Sequence, residues 1–454
     1  MSLRALKRLE VLLLLGFLYS LASLIISAYH DYDDGRHSHH ADKGSIPSMK
    51  EFTSARRLRK PGQSIMATKG TINTYNATNA EISNGQTATI DSGEEESSLD
   101  DDESEPSADV VRKRGPFSPG KCALCFFGLP RSYENVVLPT VEKNILRPNA
   151  KYKCDVFVHF FDQTTEAAGR YNDGGKIDPS HIYYLERSVR KAHDDYFSTK
   201  EKKEQSDAHS LVIQFVNDTG DTFIKARKHQ LDKYHNARNS QGNQIYFPWK
   251  SNWKNLSMDN MIKQWHSINA SFSLMESHAR SHAITYERVA MLRNDVLYVT
   301  PIDIYLLDNL NATVDIDNNH FVMPPFCQYP INDRMIYGPY GAIRIWATQR
   351  FDLIEHRVRK AKDEGYEMHS ERFLDSTVLP TMEALGYHRH TNPDLCFVRT
   401  RAHGIVMVND CFAEGVTRGL LKENRREIII QALGRNCSEE FTDRDDNTVY
   451  YLKC

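Results

Sequence analysis

Two patterns of apolar residues alternate along the later part of the chain: short continuous runs, and stretches whose apolar positions lie three and four apart. Cys122–Gly128 (CALCFFG) is a short run closed by glycine, and Cys154–Phe161 (CDVFVHFF) is a second. Between them, 138–145 has helical spacing, and Pro139 and Pro148 mark the expected start and end of a helix. A strand–helix–strand unit predicts an α/β domain with parallel strands.

Further elements follow after residue 256. Ser257 can cap a long helix, and one face of it is apolar. That face carries Met258, Met261, Ile262, Trp265, Ile268, Phe272 and Met275. The patterns then predict a strand at Tyr286–Leu292, a strand at His320–Met323 and an amphipathic helix over 341–362, with Ser370 as the cap of a later helix. We expect a mixed, Rossmann-type sheet flanked by helices.

An uncharged segment near the N-terminus predicts a membrane anchor. Val11–Tyr29 is nineteen residues long without a formal charge, with basic residues before it and acidic residues after it. As a helix it would span about 28 Å, close to the thickness of a hydrocarbon core. The charge asymmetry places residues 1–10 in the cytosol and the rest across the membrane. We expect a single-pass type II protein of the Golgi or endoplasmic reticulum; a cleaved secretory signal is the alternative.

Residues 30–118 are predicted to be a disordered acidic stem. They are rich in Ser, Thr, Asn, Gly and charge, and 94–105 (EEESSLDDDESE) repels itself. The basic triplet 112–114 ends the stem and reads either as ordinary linker charge or as a processing site. The folded domain is expected over 119–454. The formal net charge of the chain, −3, implies no general affinity for nucleic acid.

Cysteines and sequons agree with a luminal domain. All eight cysteines follow the predicted anchor, and so do the N-x-S/T acceptor patterns, which begin at Asn76, Asn217, Asn255, Asn269, Asn311 and Asn436. An oxidising compartment favours disulfides, although their connectivity stays open. Cys122 and Cys125 have the spacing of a zinc knuckle, but no second C-x-x-C accompanies them, so buried or disulfide-bonded cysteine is preferred.

A lone acid stands between two strand-like runs. Asp295 follows Val289–Leu292 and Arg293-Asn294, and another apolar run begins directly after it. Ligands bind beyond the carboxyl ends of strands in open α/β sheets. An aspartate there can hold a divalent cation, and the cation can neutralise a diphosphate leaving group. The alternative is an aspartate that caps a turn or pairs with Arg293.

Five stretches, in order, resemble the GT-A-like glycosyltransferases of the secretory pathway. They are FFGLPRSYE (126–134), DVFVHFF (155–161), YERVAMLRNDVLY (286–298), INDRMIYGPYGAIRIW (331–346) and HSERFL (369–374). Together these stretches span about 119–400, most of the domain. The resemblance implies a GT-A-like fold that moves a sugar from a nucleotide-sugar donor to a glycan or glycoprotein hydroxyl.

The resemblance also implies roles for single residues at the donor. Asp295 would contact the donor diphosphate through Mn²⁺ or Mg²⁺, with Arg293 as a phosphate or structural partner. Only one acid of the usual D-x-D pair is present, so substrate phosphates would have to complete the coordination shell. Arg131 and Ser132 lie in the first strand–helix loop, where phosphate is commonly held. The alternative is that Arg131 orders that loop by pairing with Glu134.

Two carboxylates are candidates on the acceptor side. Asp333 lies in a loop that faces the acceptor in the resembled family, and it could act as a general base. The alternative is a turn built on Asn332 and Asp333. Glu371 is the other candidate for catalysis, although a glutamate in the first turn of a helix is favoured by the helix dipole alone.

Two other classes of function remain open. A luminal glycan-binding protein, or inactive transferase, would use the same fold without turnover, and the missing second acid favours it. A sulfotransferase is less favoured. The run GLPRS (128–132) resembles the loop that grips the donor phosphate in that class, but Glu134 follows it closely and is poorly placed against phosphate.

Overall fold

The computed structural model describes residues 120–166, 174–198, 210–248, 255–309, 311–326, 330–361, 365–408, 410–411, 424–444 and 447–454. The expected tail, anchor and stem (1–118) lie outside these residues, as do Cys327 and the sequon at Asn76. Within the described residues, no helix is both long enough and apolar enough to cross a membrane.

The strands follow one another along the described chain, most of them short. In order they are β1 (Cys122–Phe127), β2 (Asp155–Phe161), β3 (Thr165–Glu166), β4 (Gly175–Lys176), β5 (Ile213–Asp218), β6 (Tyr246–Pro248), β7 (Arg288–Arg293), β8 (Val296–Tyr298), β9 (Leu306–Asp308), β10 (Thr313–Val314), β11 (His320–Met323), β12 (Ile336–Pro339), β13 (Tyr366–Met368), β14 (His388–Thr391), β15 (Phe397–Thr400), β16 (Ile405–Met407), β17 (Ser438–Arg444) and β18 (Asn447–Lys453).

Helices separate most of the strands of the main sheet. In order they are α1 (Leu138–Val141), α2 (Arg147–Asn149), α3 (Tyr184–Tyr196), α4 (Gly220–Asn236), α5 (Asn255–Ser281), α6 (Tyr340–Thr348), α7 (Arg350–Ala361), α8 (Ser370–Phe373), α9 (Leu379–Ala384) and α10 (Arg425–Leu433). Short π-helical or 3₁₀ segments join several of them, at Tyr133–Val137, Glu142–Leu146, Ala150–Tyr152, Pro179–Tyr183, Leu374–Val378 and Ala402–Gly404.

The main sheet is mixed and has the strand order β14-β11-β12-β7-β1-β2-β5. β1 runs parallel to β2 and β7, and β5 runs parallel to β2. β12 is antiparallel to both of its neighbours, β7 and β11. The predicted α/β architecture, a mixed sheet flanked by helices, is confirmed.

The two central strands are apolar because both of their faces are covered. Every residue of β1 and β2 is buried. Leu124 and Phe126 belong to a core that includes Tyr298 of β8, whereas Cys125 and Phe127 belong to a second core on the other face. A strand buried on both faces reads as a continuous apolar run, which is why it could be recognised from the sequence.

A second, five-stranded sheet has the order β17-β18-β16-β15-β8. Its strand β8 begins directly after Asn294 and Asp295, the turn that ends β7. The predicted strand at 286–292 and the apolar run that follows it therefore belong to different sheets. The pattern along the chain showed two strands but gave no sign that the sheet changes between them.

The two predicted proline boundaries of the first helix are wrong. The helical stretch begins at Tyr133, before Pro139, and continues past Pro148 to Tyr152. Both prolines occupy the first turn of an α-helical segment that follows a π-helical one. Proline is tolerated at that position because its missing N–H is not needed there.

Other helix boundaries also differ from the predictions. The helix expected over 341–362 is two helices, α6 and α7, that meet at Gln349. Ser257 lies inside α5 instead of capping it, although all seven predicted core residues of that helix are buried. The cap of α8 is His369, whose ring accepts a hydrogen bond from the backbone N–H of Arg372, while Ser370 accepts one from Trp265.

Three disulfides join cysteines of the described residues: Cys122–Cys154, Cys396–Cys411 and Cys437–Cys454. They are consistent with a secreted or luminal protein. Cys125 is a free, buried thiol, so the C-x-x-C pair is split between a disulfide and the core and does not form a zinc knuckle.

The Cys122–Cys154 disulfide links the starts of β1 and β2, so its removal should weaken the main sheet. The bridge spans 32 residues. We expect the double variant Cys122→Ala/Cys154→Ala to lose about 3–4 kcal/mol of unfolding free energy, the chain-entropy value for such a loop. Urea denaturation without reductant measures this loss. A change below about 1 kcal/mol would show that the bridge does not constrain the unfolded chain in the way this value assumes.

Candidate functional site

The carboxyl ends of β1 and β7 lie side by side at the centre of the main sheet. On one side of β1 the sheet continues with β2 and β5, and on its other side with β7. The strand order therefore reverses between β1 and β7. Phe127 pairs with Arg293 where these two strands end. Open α/β sheets bind ligands in the crevice beyond such a reversal. The loops 128–132 and 294–295 border this crevice.

Asp295 lies in the crevice as a buried carboxylate held by two arginines. Arg293 donates from Nε to Oδ1 at 2.6 Å and from Nη2 to Oδ2 at 2.8 Å, and Arg131 donates from Nη1 to Oδ2. Burial alone would raise the pKa of Asp295, but Arg293 and Arg131, with a smaller contribution from Arg401, hold the pKa well below its usual range. Asp295 is therefore ionised and paired.

Among the described side chains that pair with Arg131 or lower the pKa of Asp295, arginines outnumber acids. Arg131 also pairs with Glu166 of β3, to which its Nε donates at 2.6 Å. Three guanidinium groups, those of Arg131, Arg293 and Arg401, thus face two carboxylates, those of Asp295 and Glu166. The five side chains, called here the arginine cluster, carry one net positive charge. The side chains of Arg131 and Arg293 are partly exposed, so an anion can reach them.

The turn that carries Asp295 is fixed by Asn294. Its backbone N–H donates to the carbonyl of Phe127 at 2.8 Å, and its side chain donates to the carbonyl of His159 at 3.2 Å. The carbonyl of Asp295 accepts from the N–H of Thr400 at 2.9 Å. The turn thus joins the ends of β1, β2 and β7 to β15 of the second sheet. Asp295 stands between two apolar runs because it lies in the turn between β7 of the main sheet and β8 of the second sheet.

Ser132 has a structural role in the loop that carries Arg131. It adopts a left-handed backbone conformation with φ of 47°. Its hydroxyl donates to the carbonyl of Arg401 at 2.7 Å and accepts from the N–H of Gly404 at 2.9 Å. The loop is thereby tied to the turn after β15. Contact of Ser132 with a nucleotide stays a prediction.

A cavity of about 470 Å³ adjoins this loop. Pro130 and Ser132, which flank Arg131, form part of its wall, and so does Lys176 of β4. Glu134, Asp178 and His181 supply polar groups to the lining. An anion bound at the arginine cluster would therefore lie near an open space that can hold further parts of a ligand.

The two predicted acceptor-side carboxylates lie on the other side of the main sheet. Asp333 accepts a hydrogen bond from Gln264 of α5 at 3.2 Å. Glu371 lies 3.3 Å from Nε2 of His369, in the helix whose Ser370 contacts Trp265 of α5. α5 packs in the core opposite the second sheet. The structure thus brings Arg131, Arg293 and Asp295 together and places Asp333 and Glu371 around α5.

A histidine–aspartate cluster lies at the ends of β2 and β5. Nε2 of His159 is 3.0 Å, and Nε2 of His266 is 2.5 Å, from Oδ2 of Asp218. The three ligand atoms lie within 4.8 Å of one another, a spacing that could hold a metal ion. However, Arg227 donates to Nδ1 of His266 at 2.9 Å, so Nε2 of that ring carries its proton and donates to Asp218. The hydrogen bonds thus satisfy the cluster without a metal.

The surroundings of Asp295 do not fit Mn²⁺ or Mg²⁺. These cations take oxygen ligands, and both oxygens of Asp295 already accept hydrogen bonds from guanidinium groups. A divalent cation would also add positive charge to a cluster in which arginines already outnumber acids. The arrangement matches the alternative reading of the sequence, in which Asp295 pairs with Arg293.

Several residues of the site had no local signal in the sequence. Glu166 and Arg401 are ordinary charged residues in the sequence, and only the fold places them beside Arg131 and Asp295. His159 did carry a signal: it is a polar residue inside the apolar run DVFVHFF. A buried polar residue requires a partner, which the fold supplies as Asp218 and Ser267.

Comparison with known proteins assigns no family to the chain: no family model matches it, and no curated protein matches it.

Neutralising Asp295 should destabilise the fold. Asp295→Asn keeps the shape of the side chain but removes the carboxylate between Arg131 and Arg293. Arg293 then loses its ion pair with Asp295, while Arg131 keeps its pair with Glu166. We expect a loss of about 3 kcal/mol of unfolding free energy, measured by urea denaturation. Asp195→Asn is the matched control, since it breaks an exposed pair with Lys191 and should cost less than about 1 kcal/mol. Equal effects of the two variants would contradict a structural role for the Asp295 ion pairs.

Acidification should destabilise the chain through His266. Burial is the largest cause that lowers the pKa of this histidine below its usual value of 6.5. As the pH falls below the unfolded value, the unfolded chain binds a proton that the folded chain does not, so stability is lost by up to about 1.4 kcal/mol per pH unit. Thermal denaturation from pH 7.5 to 5 should show a smaller decline for His266→Gln. His388→Gln, at an exposed site, should follow the unsubstituted protein; an equal decline in all three proteins would contradict the assignment.

Proposed function

We propose that this chain is a glycosyltransferase that moves a sugar from a nucleotide-sugar donor to a hydroxyl of a glycan or glycoprotein. The observation that carries the proposal is the arginine cluster at the strand-order reversal of the main sheet, next to a cavity. The cluster supplies positive charge where an open α/β sheet receives a ligand. The order of sequence stretches that resemble GT-A-like transferases supports the same function.

In the proposed reaction the arginines stabilise the leaving group. The acceptor oxygen forms a bond to the anomeric carbon, while the bond from that carbon to the diphosphate oxygen breaks. Negative charge then develops on the diphosphate. Arg131 and Arg293 would donate hydrogen bonds to it, and fixed donors of this kind stabilise a transition state without reorganising. Asp295 would hold the two guanidinium groups in place and prevent their mutual repulsion.

The arginine cluster would perform the neutralisation that the resemblance assigned to Mn²⁺ or Mg²⁺. We assign no step to a divalent cation at Asp295, because its oxygens are engaged with Arg131 and Arg293. The proton of the acceptor hydroxyl would pass to a general base. Asp333 and Glu371 stay predictions for that role.

The proposal includes a place in the secretory pathway. The three disulfides of the described residues fit an oxidising lumen. Residues 11–29 would anchor the chain in the Golgi or endoplasmic reticulum membrane, with the catalytic domain in the lumen. This orientation would bring the domain to glycoprotein acceptors as they pass through the compartment.

Nucleotide binding tests the arginine cluster directly. The full-length chain, purified in detergent, is titrated calorimetrically with UDP, GDP, CMP and 3′-phosphoadenosine 5′-phosphate. We expect one of the first three to bind, and Arg131→Ala and Arg293→Ala each to weaken it by about 10- to 100-fold, the worth of a charge-assisted hydrogen bond. EDTA should leave the affinity unchanged. The control is Arg190→Ala, which removes an exposed arginine paired with Glu186.

Each other outcome has a definite meaning. Binding of the adenosine bisphosphate alone would replace the proposal with a sulfotransferase. Binding of a nucleotide without release of that nucleotide from its sugar conjugates, in the presence of glycan acceptors, would favour a non-catalytic glycan-binding protein. No binding to any of the four by folded protein would overturn the role of the arginine cluster.

A further inference from the structure

The cavity beside the Arg131 loop differs from the arginine cluster in its charge. Two basic side chains, Lys176 and Arg435, and two acidic ones, Glu134 and Asp178, line it. Counted without the histidines, the side chains of the lining carry no net charge. A phosphate gains little from such a lining, whereas the arginine cluster next to it is positive. The cavity is therefore suited to an uncharged polar ligand.

Hydrogen-bond donors and hydrogen-bond acceptors both line this cavity. Nε2 of His181 lies 3.3 Å from Oε2 of Glu134 and 3.3 Å from Oδ2 of Asp178. Both carboxylates are substantially exposed, so their remaining oxygen positions can accept hydrogen bonds from a ligand. Nε of Arg435 is buried and has no hydrogen-bond partner among the described residues, so it needs an acceptor. A polyhydroxylated molecule supplies donors and acceptors together.

An exposed aromatic surface adjoins the same histidine. Tyr184 is 43% exposed. Its ring lies nearly parallel to the ring of His181, with centroids 5.5 Å apart and an interplanar angle of 19°. Tyr183 is also exposed, and it packs edge-on against Phe160. A flat aromatic ring that reaches water offers an apolar face and a polar rim, which complements the C–H face and the hydroxyl edge of a sugar ring.

We propose that this cavity, with Tyr184 at its side, binds an uncharged sugar unit of the acceptor glycan. The inference rests on the proposed function, since it assumes a sugar donor at the arginine cluster. Pro130 and Ser132 belong both to the cavity wall and to the loop that holds Arg131, so the acceptor would lie beside the donor diphosphate. Glu134 and Asp178 would accept hydrogen bonds from sugar hydroxyls, and Arg435 would donate one.

The inference places the acceptor on the opposite face of the main sheet from Asp333 and Glu371. Those two residues lie around α5, and α5 packs in the other core. The cavity lies with the helical stretch after β1 and the turn after β15. The acceptor-side prediction from the sequence and the present inference thus name different surfaces of the same domain. If the acceptor occupies the cavity, neither Asp333 nor Glu371 can take the proton of its hydroxyl, because a general base must lie within hydrogen-bond reach.

A glycan array tests the inference. Full-length chain, with the nucleotide found in the titration present in excess, is applied to immobilised oligosaccharides ending in glucose, galactose, mannose or N-acetylglucosamine, and to sialylated and sulfated counterparts. We expect retention by at least one neutral set. Tyr184→Ala and Glu134→Gln should each reduce this retention at least tenfold. Both side chains are exposed, so the variants should fold, which their melting temperatures check.

The control variant is Leu385→Ala, which removes an exposed apolar side chain outside the cavity lining and should leave retention unchanged. Retention of only the charged oligosaccharides, retention of none, or equal retention by Tyr184→Ala, Glu134→Gln and the unsubstituted chain would each overturn the inference. Nucleotide affinity, measured on the same proteins, separates the two proposals. If the nucleotide binds normally while no neutral glycan is retained, the acceptor site is wrong and the donor site stands; if no nucleotide binds, the proposed function itself fails.

Discussion

The pairing of the buried carboxylate of Asp295 with Arg131 and Arg293 is the interaction on which the rest of the site depends. A carboxylate without partners could not stay ionised at this depth, because burial alone raises its pKa. The carboxylate in turn reduces the repulsion between the two guanidinium groups. The pairing also fixes geometry: it anchors the loop after β1 to the turn after β7, and that turn passes the chain from the main sheet to the second sheet. The same ion pairs therefore join the two sheets and determine the charge of the site.

The ion pairs of Asp295 bear on whether a metal ion or arginine side chains would neutralise the phosphates of the proposed donor. A cation and a guanidinium group compete for the same carboxylate oxygens. In this chain the arginines occupy them, and Glu166 holds Arg131 from the far side. Phosphate recognition by fixed guanidinium groups has a geometric benefit, since two N–H groups can meet two phosphate oxygens. The ion pairs with Asp295 and Glu166 already order the arginine side chains, so a ligand would not have to supply the free energy of ordering them.

The two sides of the Arg131 loop differ in charge, and this difference supports both the proposed donor site and the proposed acceptor site. One side of the loop is the arginine cluster, with a net positive charge. On the other side is a cavity lined by two basic side chains, Lys176 and Arg435, and two acidic ones, Glu134 and Asp178. A nucleotide-sugar reacting with a glycan needs both surroundings, because the donor carries a diphosphate and the acceptor hydroxyl is neutral. The loop is held in place by Ser132, which bonds to the turn after β15, so the two surroundings keep a fixed relation.

The sequence by itself determined the elements and the residue types of the site. Strands such as β1 and β2 were recognisable because burial on both faces leaves a continuous apolar run, and the core face of α5 was recognisable from its helical period. Asp295 and Arg131 stood out because each is a charge beside an apolar strand. Only the tertiary structure decided the strand order, the split between two sheets, the disulfide pairs and the partners of each charge. Those depend on which distant segments meet, as Arg131 meets Glu166 and Asp295, and His159 meets Asp218. Local sequence patterns indicate whether a side chain is buried, but they do not indicate which distant residue packs against it or pairs with it.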